Sequence, residues 1–298
     1  MTTHGVRTFD TTDWDLGSAV EAKRGRTVSV CIPCRNEAGT IGELVGKVLP
    51  LLAGPNPLVN ELVVLDDRSQ DGTGHVARQA GARVVHIDEV HALYGRGAGK
   101  GNALWATLAA SSGDFVVWCD GDVTSFEASW VTRLVMPLLL DAEMTLVKGN
   151  YARPTDHGGG GRTTELVARP LISLFFPTLA GLHQPLGGEY AVRREMIEQL
   201  PVVEGWGAEM AMLIDVAERF GAPAIGQVDL GTRLHRHQDL HSLSHQAAEV
   251  MATVLARTPA AAAFATEVLE LLRPNGVHEA LNLAERPPLA VARLSPKP

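Results

Sequence analysis

Residues 27–37 read TVSVCIPCRNE, and this stretch decides the fold. The run Thr27–Ile32 is apolar almost throughout, as in a strand that is buried on both faces, and a proline and polar residues follow it. The same arrangement recurs in ELVVLDDRS at 61–69 and in FVVWCDGD at 115–122. Strands of this kind that alternate with helical stretches predict an α/β fold, a mostly parallel sheet flanked by helices.

The rest of the chain extends this pattern. The predicted strands are Thr27–Ile32, Glu61–Leu65, Arg83–Ile87, Phe115–Cys119, Met144–Lys148 and Ala224–Leu230. The predicted helices are Thr40–Leu52, Gly72–Ala80, Asn102–Ser111, Ala128–Leu140, Thr164–Leu174, Ala208–Phe220 and Leu240–Ala256. Neither an internal repeat nor a clear linker interrupts the pattern.

Composition excludes several classes of protein. The 298 residues carry 34 acidic and 26 basic side chains, a formal net charge of -8, which argues against a nucleic-acid-binding surface. No apolar stretch approaches the roughly 20 residues that span a bilayer. The N-terminus is polar and acidic, unlike a signal peptide, so we expect a cytoplasmic protein that binds no membrane. Three cysteines are too few for a disulfide scaffold.

Acidic motifs follow two of the predicted strands, at the sheet edge where open α/β proteins bind ligands. Asp120-Gly121-Asp122 offers two hard oxygen ligands suited to Mg²⁺ or Mn²⁺, although Asp-Gly is also a common turn. Asp66 and Asp67 could accept hydrogen bonds from a base or a ribose. Alternatively, Asp67 forms only a surface pair with Arg68.

Two glycine-rich segments could bind anions. In Gly97–Asn102 the ammonium of Lys100 could meet a diphosphate that approaches the bare backbone, or the lysine could simply be solvated. The second segment, 158–164, reads GGGGRTT and combines backbone N–H groups, the Arg162 guanidinium and hydroxyls at a predicted helix start. It suits a carboxylate or a phosphate, the alternative being a mobile linker capped by Thr163.

Histidines and cysteines give weaker signals. The histidines His235, His237, His241 and His245 lack a cysteine or third well-spaced ligand for zinc, but His235 could complete the metal site of the acidic pair. Cys31 and Cys34 have redox spacing, yet Cys31 lies within a predicted strand rather than at a helix start. We therefore interpret Cys31 as a core residue and Cys34 as a loop residue.

Taken together, the strand-end motifs resemble those of the GT-A glycosyltransferases. The segments GGGRTTELVARP at 159–170, QPLGGEY at 184–190 and GWGAE at 205–209 resemble, more specifically, the actinobacterial glucosyl-3-phosphoglycerate synthases. The similarity extends from Thr27 to Leu243.

That resemblance implies a Rossmann-like GT-A fold with a smaller acceptor-side subdomain. It also implies a homodimeric, metal-dependent transferase that moves glucose from a nucleotide sugar to 3-phosphoglycerate with retention of configuration. We accordingly divide the chain into an N-terminal extension (1–26), a nucleotide-sugar-binding half (27–150), an acceptor-binding half (151–258) and a C-terminal tail (259–298). The part of the tail beyond Asn275 is expected to be a surface strap or a dimer arm.

Site residues are expected at the matching positions. The donor-binding set is Pro33, Cys34, Arg35, Glu37, Asp66, Asp67, Lys100, Asp120, Gly121, Trp206 and Arg233. The acceptor-binding set is Gly161, Arg162, Thr164 and His237. Asp122 and His235 are expected to hold the Mg²⁺ or Mn²⁺ ion, with Asp120 beside them, and the catalytic residues are expected to be Glu209, Asp122 and Lys100.

The chain departs from the family pattern at four positions. Gly121 replaces the serine of Asp-Ser-Asp, Asp67 a small hydroxyl residue, Arg35 a hydrophobic residue and His237 an asparagine. Two neighbouring carboxylates could accept the N1–H and N2–H₂ groups of guanine, whereas uracil offers a single such donor. The donor could thus be UDP- or GDP-linked.

Two alternatives to a glucosyl-3-phosphoglycerate synthase-like enzyme therefore remain. One is a related enzyme of antibiotic biosynthesis that transfers a GDP-linked sugar to another small acceptor, such as the S-glycosylation of ergothioneine in lincosamide assembly. The other is a non-catalytic nucleotide-sugar sensor on the same fold.

Overall fold

The computed structural model describes residues 5–153, 161–234, 240–259, 261, 269–273 and 276–294. Its strands are β1 (Arg7–Phe9), β2 (Val28–Cys34), β3 (Glu61–Asp66), β4 (Arg83–His86), β5 (Phe115–Trp118), β6 (Leu146–Ala152), β7 (Tyr190–Arg193), β8 (Val202–Val203), β9 (Ile225–Thr232), β10 (Glu270–Leu272), β11 (His278–Ala280) and β12 (Glu285–Arg286). Its α-helices are α1 (Leu16–Lys23), α2 (Ile41–Val48), α3 (Thr73–Gln79), α4 (Ile87–Tyr94), α5 (Lys100–Ala110), α6 (Ala128–Leu140), α7 (Arg169–Phe175), α8 (Arg194–Ile197), α9 (Ala208–Phe220), α10 (Leu240–Leu255) and α11 (Leu289–Ala292).

One eight-stranded sheet, in the order β1-β9-β6-β7-β5-β2-β3-β4, organises the molecule. Its pairings are parallel except those of β7, which runs antiparallel to both β5 and β6. The carboxyl ends of the remaining strands therefore meet at one edge, where the start of β7 also lies. This arrangement confirms the predicted mostly parallel sheet and concentrates the strand-end motifs along a single edge.

Apolar residues from both faces of the sheet form two layers of core. One layer lies beneath α1, α2, α3 and α6 and includes Val30, Ile32 and Trp130. The other lies beneath α4, α5 and α9 and includes Cys31 and Trp118. Successive residues of β2 thus pack into opposite layers, which explains why its sequence reads as an uninterrupted apolar run.

Several element boundaries differ from the predicted ones. Strand β2 continues two residues further than expected and ends at Cys34, so that cysteine belongs to the strand and not to a loop. The extension arises because Cys34 still pairs with Asp66 of β3. Helix α5 begins at Lys100 rather than Asn102, which makes the lysine the first residue of the helix.

Several elements of the sheet region were not predicted or were predicted as something else. Strand β7 and helix α4 were not predicted, and α4 starts directly at the end of β4. The helix predicted over Thr164–Leu174 is divided into a π-helical segment, Thr164–Ala168, and α7. The N-terminal extension contributes β1, which pairs with β9 in parallel.

The described part of the C-terminal tail packs onto both halves of the chain. Strand β12 pairs with β8, and the guanidinium of Arg286 donates hydrogen bonds of 3.0–3.1 Å to the carbonyls of Tyr94, Gly95 and Arg96. These carbonyls end α4, where a positive charge is favoured. None of the helices in the described part of the chain is long and apolar enough to cross a membrane.

Helix α5 approaches the chain near β8 so closely that only glycine fits at position 101. A Cβ atom there would lie 1.8 Å from the Val203 carbonyl oxygen and 2.7 Å from the Ala208 Cβ. By contrast, a Cβ at Gly46 in α2 would meet nothing within 4 Å.

We expect Gly101→Ala to lower the free energy of unfolding by at least about 1–3 kcal/mol, because the methyl group overpacks a backbone contact. The matched substitution Gly46→Ala should raise it by up to about 1 kcal/mol, because alanine has the higher helix propensity. Chemical denaturation of both variants checks the prediction. Equal effects of the two substitutions would contradict the close packing of α5.

Candidate active site

A cavity of about 610 Å³ opens at the carboxyl edge of the sheet. Most of the predicted site residues line it: Pro33, Cys34, Arg35, Glu37, Asp67, Lys100, Asp120, Gly121, Asp122, Gly161, Arg162, Thr164, Trp206, Glu209 and Arg233. Asp66 does not line it, and His235 and His237 lie outside the described residues. Segments more than 170 residues apart in the chain thus converge on one cleft.

Ion pairs join the charged residues at the centre of the cleft. The Lys100 ammonium lies 3.1 Å from Oδ1 of Asp120 and 2.7 Å from Oε1 of Glu209. The Arg233 guanidinium lies 2.8 Å from Oδ2 of Asp120 and donates to Oε1 of Glu189 at 2.9 Å. Asp120 is therefore held between two cations, one on each of its oxygens.

Burial makes these pairings strong. Burial alone would raise the pKa of Asp120, but Lys100 and Arg233 hold that pKa at about 2. Burial opposes the charge on Lys100 as well, yet the carboxylates of Asp120 and Glu209 keep its pKa well above the ordinary value. Both groups are consequently charged across the physiological pH range.

Asp122 is the carboxylate with the least compensation. Its nearest cationic group is Arg233, at 3.7 Å, and 27% of its side chain is exposed in the cleft. Burial and the neighbouring charge of Asp120 raise the pKa of Asp122 to about 6. A carboxylate that is open to the cleft, and whose negative charge the protein balances only in part, is a suitable ligand for a divalent cation.

The carboxylate oxygens of the site fit a hard cation that takes few protein ligands. Mg²⁺ commonly binds one or two carboxylates and completes its shell with water and substrate phosphates. Among the described residues there is no group of three His, Cys, Asp or Glu side chains that could hold a metal. Leu234, the residue before His235, contacts the loop after Asp122: its N–H donates to Ser125 Oγ at 2.9 Å.

The loop before α5 positions Lys100. Gly99 has φ = 94°, in the left-handed region that favours glycine, and it lies against the Glu204 backbone. The Ala98 N–H donates to Oε2 of Glu204 at 3.0 Å, and its carbonyl accepts from Asn282 Nδ2 at 2.9 Å. Contacts from both sides thus fix the chain immediately before the lysine.

Asp66, which was expected to bind the donor, does not line the cavity and instead makes hydrogen bonds within its own loop. Its Oδ1 accepts from the Ser69 N–H at 2.8 Å, and its Oδ2 lies against Gly74. These contacts turn the side chain into the loop after β3 and away from the lining of the cavity. The carboxylates that line this end of the cleft are Asp67 and Glu37.

Two side chains from the second half extend the opposite end of the cleft. Tyr151 lies in β6 and Arg153 directly follows that strand, and the Arg153 guanidinium lies 5.2 Å from the Tyr151 ring centre. They line the cavity together with Gly161, Arg162 and Thr164. This end therefore presents two guanidinium groups and a hydroxyl, which suits an anionic ligand.

Of the histidines considered for zinc, the two described ones, His241 and His245, have carboxylate partners. His245 lies 3.2 Å from Glu249 and 3.2 Å from Glu279, and His241 lies 3.6 Å from Glu279. The three cysteines are free and buried, and burial raises the pKa of the Cys34 thiol well above its usual range.

Comparison with known proteins now adds to the geometry. The model of the family described as Glycosyl transferase family 2 matches residues 29–199. A glucosyl-3-phosphoglycerate synthase of Mycobacterium tuberculosis (strain H37Rv) is 40% identical, with 97% of this chain and 94% of that protein aligned. The chain belongs to the glucosyl-3-phosphoglycerate synthase family.

Solved structures of this family support the assignment. A Mycobacterium tuberculosis glucosyl-3-phosphoglycerate synthase in complex with Mn²⁺, UDP-glucose and phosphoglyceric acid has a TM-score of 0.85 and 39% identity, covering 96% of this chain and 98% of that one. A complex of the same kind with Mg²⁺ and UDP has a TM-score of 0.84 and 39% identity, covering 96% and 99%. The predicted GT-A fold and glycosyltransferase class are confirmed, which argues against a non-catalytic sensor.

Three residues that contact the site have no role in the sequence analysis: Gly188, Glu189 and Glu249. In QPLGGEY, Glu189 pairs with Arg233, and a Cβ at Gly188 would lie 2.1 Å from the Asp120 carboxylate. Glu249 of α10 accepts from the Trp206 N–H at 2.8 Å and so holds that lining residue. Motif identity singled out 184–190, but only the fold shows which of its side chains meet Asp120.

Asp122→Asn tests the charge balance of the site. Below about pH 4, Asp122 of the wild type is protonated in both the folded and the unfolded protein. Above pH 6 the folded protein carries the poorly compensated charge of this carboxylate. Wild-type stability should therefore fall between pH 4 and 6, and the neutral amide should remove that loss. We expect the variant to be up to about 2–3 kcal/mol more stable at pH 7.5 and equal to the wild type at pH 3.5.

Denaturation curves at the two pH values, without and with Mg²⁺ plus a nucleoside diphosphate, provide the measurement. Added metal and nucleotide should stabilise the wild type far more than the variant. Equal stabilisation of both proteins would show that Asp122 contributes nothing to metal binding.

Proposed function

We propose that this enzyme transfers a sugar from a nucleoside-diphosphate sugar to a small anionic acceptor, with 3-phosphoglycerate as the first candidate. The observation that carries the proposal is the position of Lys100 between Asp120 and Glu209, in the cleft that Arg162 and Thr164 also line. One charged centre therefore lies between a donor end and an anion-binding end.

The donor end provides the groups that a departing diphosphate needs. As the bond between the sugar C1 and the diphosphate oxygen breaks, negative charge accumulates on the diphosphate. Lys100 and Arg233 stabilise that charge from a buried position, where electrostatic interactions exceed those in water. Both side chains are already fixed by ion pairs, so little reorganisation accompanies the reaction.

A divalent metal completes this end of the site in the proposal. Asp122 holds Mg²⁺ or Mn²⁺, with His235 as the expected second ligand and Asp120 beside them. When bound, the ion neutralises charge on the diphosphate oxygens and orients them. The related Mycobacterium tuberculosis structures contain Mn²⁺ or Mg²⁺ with UDP, which supports the same requirement here.

The acceptor end explains retention of configuration. Arg162, Thr164 and the backbone of Gly161 hold the acceptor anion, with His237 expected nearby, so that the acceptor hydroxyl lies on the same face of the sugar as the leaving diphosphate. That hydroxyl oxygen bonds to C1, and its proton passes to a diphosphate oxygen. Glu209, which is 4% exposed, faces the oxocarbenium-like sugar and stabilises its positive charge.

Exposed apolar side chains support a proposal about the assembly of the enzyme. The segment from 164 to 175 exposes Leu166, Leu174 and Phe175, with 76%, 74% and 43% exposure, and such a patch suits a subunit contact. We propose a homodimer formed through this face. We also propose a cytoplasmic location for the enzyme.

A second candidate keeps the chemistry and changes the acceptor. Arg153 lines the anion-binding end together with Arg162, so the cleft could also hold another small acceptor that carries a carboxylate. An S-glycosyltransferase that acts on ergothioneine is one such enzyme. A transfer assay that offers 3-phosphoglycerate and thiol acceptors in parallel separates the two candidates.

Arg162→Gln tests the acceptor site directly. With a nucleotide sugar and Mg²⁺, release of nucleoside diphosphate by the wild type should increase when acceptor is added. The variant should show an acceptor KM raised by about 10- to 100-fold, since a charge-assisted contact is lost, while slow hydrolysis of the donor is unchanged.

Arg169→Gln serves as the matched control, because the Arg169 guanidinium pairs with Glu165 and does not line the cavity. It should leave the acceptor KM within about twofold of the wild type, as expected for an exposed ion pair. Equal KM values for all three proteins would contradict the acceptor site. The anomeric coupling constant of the product, measured by NMR, reports retention or inversion.

A further inference from the structure

We infer that Asp67 determines which nucleobase the donor carries, and that it selects guanine. The inference rests on the proposed function, because it concerns the base of the nucleotide sugar. It goes further, because it separates the base preference of this chain from the UDP found in the related structures.

The sheet topology places the base at the end of the cleft where Asp67 lies. Asp120 follows β5, Cys34 ends β2 and Asp67 follows β3, and these three strands are consecutive in the sheet. At about 4.8 Å between strands, β3 lies roughly 10 Å from β5. With the diphosphate at Lys100 and the acceptor on the other side, towards β6 and β9, the nucleoside must extend towards β3.

The backbone of Asp67 is fixed against the neighbouring strand. Its N–H donates to the Cys34 carbonyl at 2.9 Å, which continues the pairing of β2 with β3 by one residue. The next residue, Arg68, has φ = 57° and turns the chain away from the strand. Asp67 is therefore the last residue of this segment that the sheet holds in register, and it lines the cavity.

Arg68 leaves most of the hydrogen-bonding capacity of Asp67 available. Its guanidinium donates to Asp88 at 2.6 and 3.1 Å and lies 3.0 Å from Nδ1 of His91, whereas its distance to Oδ1 of Asp67 is 3.4 Å. Within the described part of the chain, the hydrogen bond of the Asp67 side chain involves Oδ1 and leaves Oδ2 without a protein donor. An ionised carboxylate accepts hydrogen bonds and donates none, so a ligand that faces it must bring N–H donors.

Guanine is the nucleobase whose edge fits a carboxylate. Its N1–H and N2–H groups are adjacent and point the same way, so both carboxylate oxygens can accept at once. Uracil carries one N3–H group between two carbonyls, and the second carboxylate oxygen would face a lone pair. Adenine and cytosine likewise set an acceptor nitrogen beside their amino group.

The surroundings of Asp67 favour the same base. Glu37 also lines this end of the cavity and adds a second acceptor, while Asp66 is turned into its own loop. Arg35, an exposed residue of the same lining, can stack its guanidinium on the larger face of a purine. Acceptor groups and a stacking cation at the base end are therefore present together.

Asp67→Asn tests the inference, because an amide has almost the same shape but one donor and one acceptor. Calorimetry with Mg²⁺ and GDP, IDP, XDP or UDP gives the affinities of the wild type and the variant. The wild type should bind GDP at least 10-fold more tightly than IDP, which lacks the N2 amino group, and than UDP. The variant should lose at least 10-fold in GDP affinity and gain affinity for XDP, whose N1–H and C2 carbonyl match the amide.

Glu43→Gln is the control, since it removes an exposed charge that pairs with Lys47 and does not line the cavity, and it should leave the ratio of GDP to XDP affinity unchanged. Tighter binding of UDP than of GDP by the wild type, or an unchanged GDP affinity in Asp67→Asn, would overturn the inference. In either case, hydrolysis of UDP-glucose by the wild type would still support the proposed function. Failure to bind any of the four nucleotides would instead contradict both.

Discussion

The pairing of Asp120 with Lys100 on one oxygen and Arg233 on the other is the interaction on which the site depends. Through these two cations it connects Glu209 on α9 with Glu189 before β7. A carboxylate buried in this way is tolerated only because both of its oxygens meet a positive charge. Removing either cation would leave a buried, unpaired charge at the centre of the cleft.

Among the described residues at the centre of the cleft, the charges do not cancel. The carboxylates of Glu189, Asp120, Asp122 and Glu209 surround the cations Arg233, Lys100 and Lys148, which leaves one negative charge in excess. Burial also lowers the pKa of Lys148 to about 8, which weakens the positive side further. The excess falls on Asp122, so a cation at that position completes the electrostatics of the fold as well as the reaction.

The sequence predicted the side chains of this centre better than the surfaces around it. Asp120, Lys100 and Glu209 stand in recognisable strand-end and helix-start motifs, and parallel topology alone brings strand ends together. Glu189 and Arg153 carry no such local signal, because β7 is an antiparallel insertion and Arg153 becomes a lining residue only through the pairing of β6 with β9. Asp66 shows the converse: its local pattern matched, but its hydrogen bond to Ser69 turns it away.

The order of the strands also explains how substrate choice can change without loss of chemistry. The charge network involves the ends of β5 and β9, the start of β7 and the helices α5 and α9. Asp67 follows β3, two strands from β5, and within the described residues its side chain pairs with Arg68 and not with that network. A substitution at Asp67 therefore alters which base is bound while Lys100 and Asp120 keep their positions. In a sheet of this kind, base recognition and bond breaking are physically separate, because residues at the ends of different strands perform them.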